Sequence, residues 1–175
     1  MRFNNVNVEN VERLVREISE NPEKAYITKK VAGEWVFRNG EPQFKAFLKY
    51  ENGEAVVEAD SPTKMGGSGL RPDPVQYCMM GLIACFAQTY VGIATEKGVR
   101  LTKLRVEAIN RINLRRPLGV GEDPITEGIK LKVYAEGAPE DVLNEIMELA
   151  MKRCPGVYCV TNSIPIEPTL NPKED

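Results

Sequence analysis

The sequence predicts an α+β fold in which antiparallel sheets wrap around one long, buried central helix. Residues 74–97 read as a single helix whose middle part is apolar on every face, so other elements must cover it on all sides. Residues 101–116 and 125–135 alternate between apolar and polar side chains, which is typical of antiparallel strands with one buried face. A chain of 175 residues has few elements with which to cover such a helix. We therefore expect an intertwined homodimer in which the second copy supplies part of the cover.

The composition is that of an ordinary globular protein. Apolar residues make up 42% of the chain and the formal net charge is -2, so there is no cationic excess to bind nucleic acid. Residues 1–5 lack the apolar run of a signal peptide. The most apolar run, residues 77–87, is shorter than the ~20 residues that span a bilayer. We expect a cytoplasmic protein that binds neither nucleic acid nor membranes.

The N-terminal half is predicted to contain one amphipathic helix and a β meander. Residues 8–20 place their apolar side chains on one helical face, and Asn21-Pro22 ends that helix. The dipeptides Asn39-Gly40 and Asn52-Gly53 are typical of hairpin turns, because both residue types tolerate positive φ. Strands are expected at residues 25–31, 34–38, 43–50 and 54–59.

The long helix carries its own start and stop signals. Asp73 is suited to cap its N-terminus, Pro74 to occupy its first position, and Gly98 to end it. A further helix is expected over residues 139–153, closed by Cys154-Pro155. A short last strand is expected at residues 163–170.

The absence of histidine removes much of the usual catalytic repertoire. It excludes a Ser-His-Asp triad, a Cys-His pair and a His-ligated metal within the chain. Four cysteines remain, but the spacing from Cys78 to Cys85 is too long for a zinc knuckle. The sequence therefore indicates no metal and no cofactor, and any chemistry falls to the cysteines.

Two segments around these cysteines resemble the OsmC/Ohr family of osmotically inducible and organic hydroperoxide resistance proteins, in its OsmC-like branch. The first is the Gly-rich loop at 66–74 followed by Met79-Met80-Gly81-Leu82-Ile83-Ala84-Cys85-Phe86, and the second is Cys154-Pro155 at a helix end. The order of the expected strands and helices also matches from about residue 25 to residue 170. The resemblance implies an OsmC-like domain at 25–175, with residues 1–24 as an N-terminal helical extension.

The resemblance also implies a mechanism. Cys85 would attack an organic hydroperoxide and become a sulfenic acid, and Cys154 would resolve it as a disulfide that a thiol reductant then reduces. An arginine would activate Cys85, and Arg38 is the best candidate, with Arg71 as the runner-up. The apolar tail of the substrate would lie against three residues near Cys85: Met79, Leu82 and Phe86.

One departure from the family pattern leaves an alternative open. Where the family has Asn-Pro-Glu, this chain has Asp73-Pro74-Val75, so the carboxylate that holds the arginine is missing. Glu34 or Glu41 could replace it. Without a replacement, the protein would lack peroxidase activity and would instead bind a small apolar ligand or exchange thiols at a dimer-interface pocket. A third possibility is an interaction protein whose cysteines are inert.

The other two cysteines have less defined roles. Cys78 and Cys85 are separated by ~10.5 Å of helical rise, which is too far for a disulfide within one helix, so Cys78 is expected to serve packing. Cys159 follows Cys154 closely and could compete with it as the resolving cysteine.

Overall fold

The computed structural model describes residues 1–171 and divides the chain into two compact units, residues 1–81 and residues 82 onward. The long helix crosses the boundary between these units. The strands are β1 (Arg2–Phe3), β2 (Val6–Asn7), β3 (Ala32–Trp35), β4 (Phe44–Tyr50), β5 (Gly53–Ala59), β6 (Lys103–Ile112) and β7 (Thr126–Glu136). The α-helices are α1 (Val8–Glu20), α2 (Pro74–Glu96), α3 (Glu140–Arg153) and α4 (Pro155–Thr161).

The first unit contains a small hairpin, α1 and a three-stranded antiparallel sheet of order β3-β4-β5. Asn7 caps α1, because its side chain accepts a hydrogen bond from the backbone N–H of Asn10. The predicted helix at 8–20 is confirmed. The strands predicted at 43–50 and 54–59 correspond to β4 and β5 within one residue at each end.

The predictions for residues 22–43 are wrong in two places. Asn21 accepts a hydrogen bond from the N–H of Glu23 and starts a 3₁₀ helix, Pro22–Ala25, and residues 26–31 form no strand. The first strand of the sheet is β3, which ends at Trp35 instead of reaching residue 38. Gly40 has the positive φ of +84° that its turn predicts, but the turn lies within a longer connection between β3 and β4.

Helix α2 begins and ends where the sequence predicts. Asp73 and Gln76 form a capping box: the Gln76 N–H donates to Asp73 Oδ1 at 3.0 Å, and the Asp73 N–H donates to Gln76 Oε1 at 3.0 Å. At the other end Gly98 has a φ of +68°, and the Val99 N–H donates to the Ala94 carbonyl at 2.8 Å.

The length of α2 corrects one statement made from the sequence. Its 23 residues, with a mean hydropathy of 1.5 over its most apolar window, are long and apolar enough to cross a membrane, whereas the run 77–87 alone is too short. The core helix of a water-soluble domain meets the same criterion. The buried residues of α2 repeat at helical spacing, as expected for a helix packed on a domain core: Leu82, Phe86, Tyr90, Ile93 and Ala94.

The second unit packs the second part of α2 with α3, α4 and the antiparallel pair β6-β7. Phe86, Ile146 and Ala150 are fully buried at its centre. Leu104, Val106 and the alternating apolar residues of β7 pack against this core. The hydroxyl of Tyr90 donates to the carbonyl of Leu143 at 2.9 Å, which ties α2 to α3.

The chain after α3 differs from the prediction. Residues 155–161 form α4, and residues 163–170 form no strand. Cys154 closes α3 and caps α4, while Pro155 takes the first position of α4, where its missing N–H costs nothing. Burial of Val157 against the core then holds this short helix in place.

Candidate functional site

Cys85 and Cys154 meet at the junction between α2, α3 and α4. Cys85 projects from α2, and Cys154 is the single residue between α3 and α4. The Gly156 N–H donates a hydrogen bond to Cys85 Sγ at 3.3 Å, and the Val157 N–H donates to Cys154 Sγ at 3.5 Å. Consecutive amides at the start of α4 thus hold the two sulfurs side by side.

Gly156 is the residue that permits this approach. A Cβ atom added at Gly156 would lie 3.1 Å from Cys85 Cβ, 3.4 Å from Cys85 Sγ and 3.6 Å from Cys154 Sγ. Both sulfurs are therefore close to one point in space, which only the missing side chain of glycine leaves open.

The cysteines differ in solvent access. All four are free thiols; Cys78 and Cys159 are exposed, Cys85 is half-buried, and Cys154 is only 1% exposed. A molecule arriving from solvent therefore reaches Cys85 more readily than Cys154. This order of access suits a pair in which Cys85 reacts first and Cys154 second.

The surroundings of Cys85 do not by themselves favour its thiolate. Burial raises the pKa of the Cys85 thiol, the hydrogen bond from the Gly156 N–H lowers it, and the neighbouring Cys154 and Cys159 thiols raise it again. The net effect is a raised pKa. In the described part of the chain, none of these contributions comes from a cation, so activation of Cys85 needs a positive charge from elsewhere.

The two candidate arginines both lie in the first unit and are paired there. Arg38 is 81% exposed, and its Nη1 lies 2.9 Å from Oε1 of Glu41. Arg71 Nε donates to Oε2 of Glu58 at 2.8 Å. Glu41 is one of the two acids proposed to replace the missing family carboxylate, and it does hold Arg38.

Glu58 is the acid that holds Arg71, and nothing in the sequence indicates this role. Burial alone would raise the pKa of its carboxyl group, but hydrogen bonds from Arg71 and Lys45 outweigh it and leave that pKa lowered. Val75 is 41% exposed, and the neighbouring Gln76 is committed to the capping box of α2. Neither residue replaces the carboxylate of the family pattern.

An apolar cavity of about 640 Å³ lies in the second unit; neither Cys85 nor Cys154 lines it, but Phe86, the residue after Cys85, does. Two of the three residues predicted to bind the substrate, Leu82 and Phe86, line it, whereas Met79 lies in the first unit and does not line it. Val157, whose N–H donates to Cys154 Sγ, forms part of the wall. The remaining apolar lining includes Ile129, Leu131, Val133, Met147, Met151 and Val160, with Glu148 and Lys152 as the charged members.

The volume of this cavity falls within the range that holds small organic ligands. Strand β7 forms one wall of this cavity. The alternation of residues 125–135 indicates that Ile129, Leu131 and Val133 lie on the buried face of this strand, but not that this face lines a cavity. Among residues 1–171, no three metal-binding side chains gather into a metal site.

Comparison with known proteins decides the family. The sequence pattern that defines OsmC-like proteins matches residues 66–169, more than half of the chain. The chain belongs to the OsmC-like protein family. No curated protein matches it significantly.

Solved structures from three bacteria are similar to this OsmC-like chain. The organic hydroperoxide resistance protein OsmC of Legionella pneumophila is 14% identical, with a TM-score of 0.55 over 77% of this chain and 91% of that chain. A hydroperoxide resistance protein of Elizabethkingia anophelis is 18% identical, with a TM-score of 0.53 over 77% and 89%. An OsmC-like protein of Mycoplasma pneumoniae is 17% identical, with a TM-score of 0.51 over 77% and 89%.

At these identities the likeness establishes the fold. The predicted OsmC-like α+β fold, with antiparallel sheets and a long central helix, is confirmed. The domain boundary at residues 24/25, the homodimer and the roles of the site residues stay predictions.

Proposed function

We propose that the protein is a cysteine-based peroxidase that reduces organic hydroperoxides. The observation that carries this proposal is the pairing of Cys85 with Cys154 at the start of α4, where Gly156 and Val157 each donate an N–H to one sulfur. Two cysteines far apart in sequence meet in a family that includes proteins named for hydroperoxide resistance. A role in defence against organic peroxides follows.

The proposed reaction proceeds in three steps. The Cys85 thiolate attacks the terminal oxygen of the hydroperoxide, the O–O bond breaks, and the alcohol leaves after taking up a proton. Cys154 then attacks the Cys85 sulfenic acid, forming a disulfide and releasing water. A thiol reductant restores both thiols. No metal or other cofactor is required.

Arg38 has a defined place in this proposal. Its guanidinium would offset the effect of burial on the Cys85 thiol and favour the thiolate, with Glu41 orienting it. Arg71, held by Glu58, is the alternative cation. Each arginine can be removed separately to decide between them.

We also propose that the protein is a cytoplasmic homodimer. Within one chain, α2 buries a single stripe of residues, while the apolar side chains of Val75 and Met80 remain 41% and 52% exposed. A second copy would cover these side chains, as apolar surface of this kind is favourable to bury.

The decisive experiment exposes the reduced protein to one equivalent of cumene hydroperoxide and maps its cysteines by mass spectrometry. We expect rapid formation of a Cys85–Cys154 disulfide in the wild type and none in the Cys85→Ser variant. The matched control is Cys78→Ser, which should behave as the wild type. If both thiols stay reduced while free cysteine in the same tube oxidises, the peroxidase proposal is wrong.

The apolar cavity in the second unit supports a second candidate function, the binding of a small apolar ligand without peroxide turnover. Met151 lines the cavity, whereas Val120 is an exposed apolar residue outside it. Decanoate is titrated into the protein, and its binding is measured by the displacement of a fluorescent apolar probe. We expect binding in the wild type and in Val120→Glu but weak binding in Met151→Glu. Binding without disulfide formation would favour this second function.

A further inference from the structure

Cys159 lies in α4, five positions after Cys154, and has no part in the reaction proposed so far. We propose that Cys159 is a third redox cysteine, which takes over the disulfide from Cys154 and presents it to the reductant at the protein surface. This inference rests on the proposed function and extends it to the regeneration half of the cycle.

The geometry of α4 directs Cys159 toward the pair. Cys159 lies three residues after Gly156, so the two positions are neighbours on the same helical surface. Side chains of a helix lean toward its N-terminus, which points the Cys159 side chain over the turn whose Gly156 N–H holds Cys85 Sγ. Gly156 has no side chain of its own, and a Cβ atom added there would lie 3.4 Å from Cys85 Sγ, so this surface of α4 lies directly against Cys85.

Solvent access explains why a third cysteine is needed. A reductant must approach one sulfur of a disulfide in line with the bond that breaks. Cys154 is 1% exposed and Cys85 is half-buried, so their disulfide would present little surface to a reductant. Cys159 is exposed and would carry one end of the disulfide into contact with solvent.

Cys159 must attack Cys85 rather than Cys154. Cys159 lies five positions after Cys154, the residue that caps α4, which corresponds to a helical rise of ~7.5 Å, whereas a disulfide spans at most about 7 Å between Cα atoms. Cys85 projects from a different helix and is free of this restriction. The Cys159 thiol is also near enough to contribute to the raised pKa of Cys85.

The exchange balances without an added oxidant. The Cys159 thiolate attacks Cys85 Sγ, a Cys85–Cys159 bond forms, and the bond to Cys154 breaks. Cys154 leaves as a thiolate that the Val157 N–H stabilises until solvent protonates it. One thiolate of an external dithiol then attacks Cys159 Sγ and releases Cys85. The second thiol of the dithiol attacks the resulting mixed disulfide and releases Cys159, so the dithiol is oxidised by two electrons and the protein is reduced.

The test uses diamide, a thiol oxidant, so that it does not depend on peroxide chemistry. In the Cys154→Ser variant, we expect diamide to produce an intramolecular Cys85–Cys159 disulfide, mapped by mass spectrometry on the full chain. Failure of that disulfide to form would show that the two sulfurs cannot meet and would overturn the proposal.

A rate measurement then tests the role in regeneration. After oxidation by diamide, reduction by dithiothreitol should be at least ~10-fold slower in Cys159→Ser than in the wild type, because the accessible point of attack is lost. Cys78→Ser, which removes another exposed cysteine, should be reduced at the wild-type rate. Equal rates for Cys159→Ser and the wild type would overturn the proposal.

The two proposals fail in different ways. If cumene hydroperoxide forms no disulfide in the wild type, the peroxidase function is wrong, while the diamide experiments still decide whether Cys159 exchanges with Cys85. If peroxide forms the Cys85–Cys154 disulfide but diamide never links Cys85 to Cys159, the peroxidase function stands and the role of Cys159 is wrong.

Discussion

Gly156 sets how closely α4 approaches Cys85. We expect Gly156→Ala to slow formation of the Cys85–Cys154 disulfide by ~10-fold. The new methyl group would lie 3.1 Å from Cys85 Cβ and must move the Cys85 sulfur away from the position in which it faces Cys154. The protein is oxidised with peroxide or diamide, the reaction is quenched at set times, and the cysteines are mapped by mass spectrometry to give the rate. Gly92→Ala is the control, since a Cβ at that position of α2 meets nothing within 4 Å. An unchanged rate in Gly156→Ala would contradict the importance of this contact.

Arg38 is tested through the pH dependence of Cys85. Only the thiolate reacts with iodoacetamide, and burial with the neighbouring thiols raises the pKa of Cys85. A nearby guanidinium would lower that pKa, so its removal must move the reaction profile to higher pH and slow the reaction near pH 7. We expect this shift in Arg38→Ala and not in Arg71→Ala, followed on the Cys85 peptide by mass spectrometry. Coincident profiles for Arg38→Ala and the wild type would rule out a role for Arg38.

At the scale of single residues, the sequence shows which residues can carry chemistry better than it shows which residues contact one another in the fold. Cys85 and Cys154 are recognisable because each stands in a family motif, Ala-Cys-Phe and Cys-Pro. Gly156 and Glu58 are not recognisable, because their significance comes from residues distant in sequence that fold against them. Likewise, the sequence does not show that the Gln76 side chain is occupied by the Asp73 N–H in the capping box of α2.

The capping box of α2 gives a prediction at the scale of the element. Asp73→Ala removes the oxygen that accepts the Gln76 N–H, and we expect it to lower the free energy of unfolding by about 1 kcal/mol. Asp73→Asn keeps an oxygen in place and should lower it much less. Urea unfolding at one fixed protein concentration compares the two variants. Equal loss in both would mean that the carboxylate charge, rather than the cap, stabilises the helix.

The elements that could be predicted are those with signals at both ends. Helix α2 has Asp73 and Pro74 at its start and Gly98 at its stop, and its bounds were predicted within one residue. The strand expected at 25–31 had a suitable composition, but none of the strands within residues 1–171 pairs with residues 26–31. Helix α4 is not predicted from the sequence, because Cys154-Pro155 is typical of a helix end and is assigned to the end of α3. The same proline also suits the first position of a new helix.

At the scale of the whole molecule, α2 carries both the cysteine site and the exposed apolar side chains through which we propose that a second copy binds. One face of this helix carries Leu82 and Phe86 into the core and the cavity, and Cys85 follows on the side that meets α4. The exposed apolar side chains of the same helix, Val75 and Met80, are left without cover in one chain. The sequence predicted a helix that needs cover on every face, and the single chain supplies that cover on one.

The proposed homodimer predicts that a charge on this uncovered side of α2 separates the subunits. Met80 is 52% exposed in the single chain, and burying a glutamate there without a partner would cost several kcal/mol. We expect Met80→Glu to sediment as a monomer at concentrations at which the wild type and Val120→Glu, a variant in an exposed loop, sediment as dimers. The circular dichroism spectrum shows whether the variant still folds, and its peroxide reactivity shows whether Cys85 depends on the second subunit. A monomeric wild type, or a dimer in Met80→Glu as stable as that of the wild type, would mean that α2 is not the face through which two copies associate.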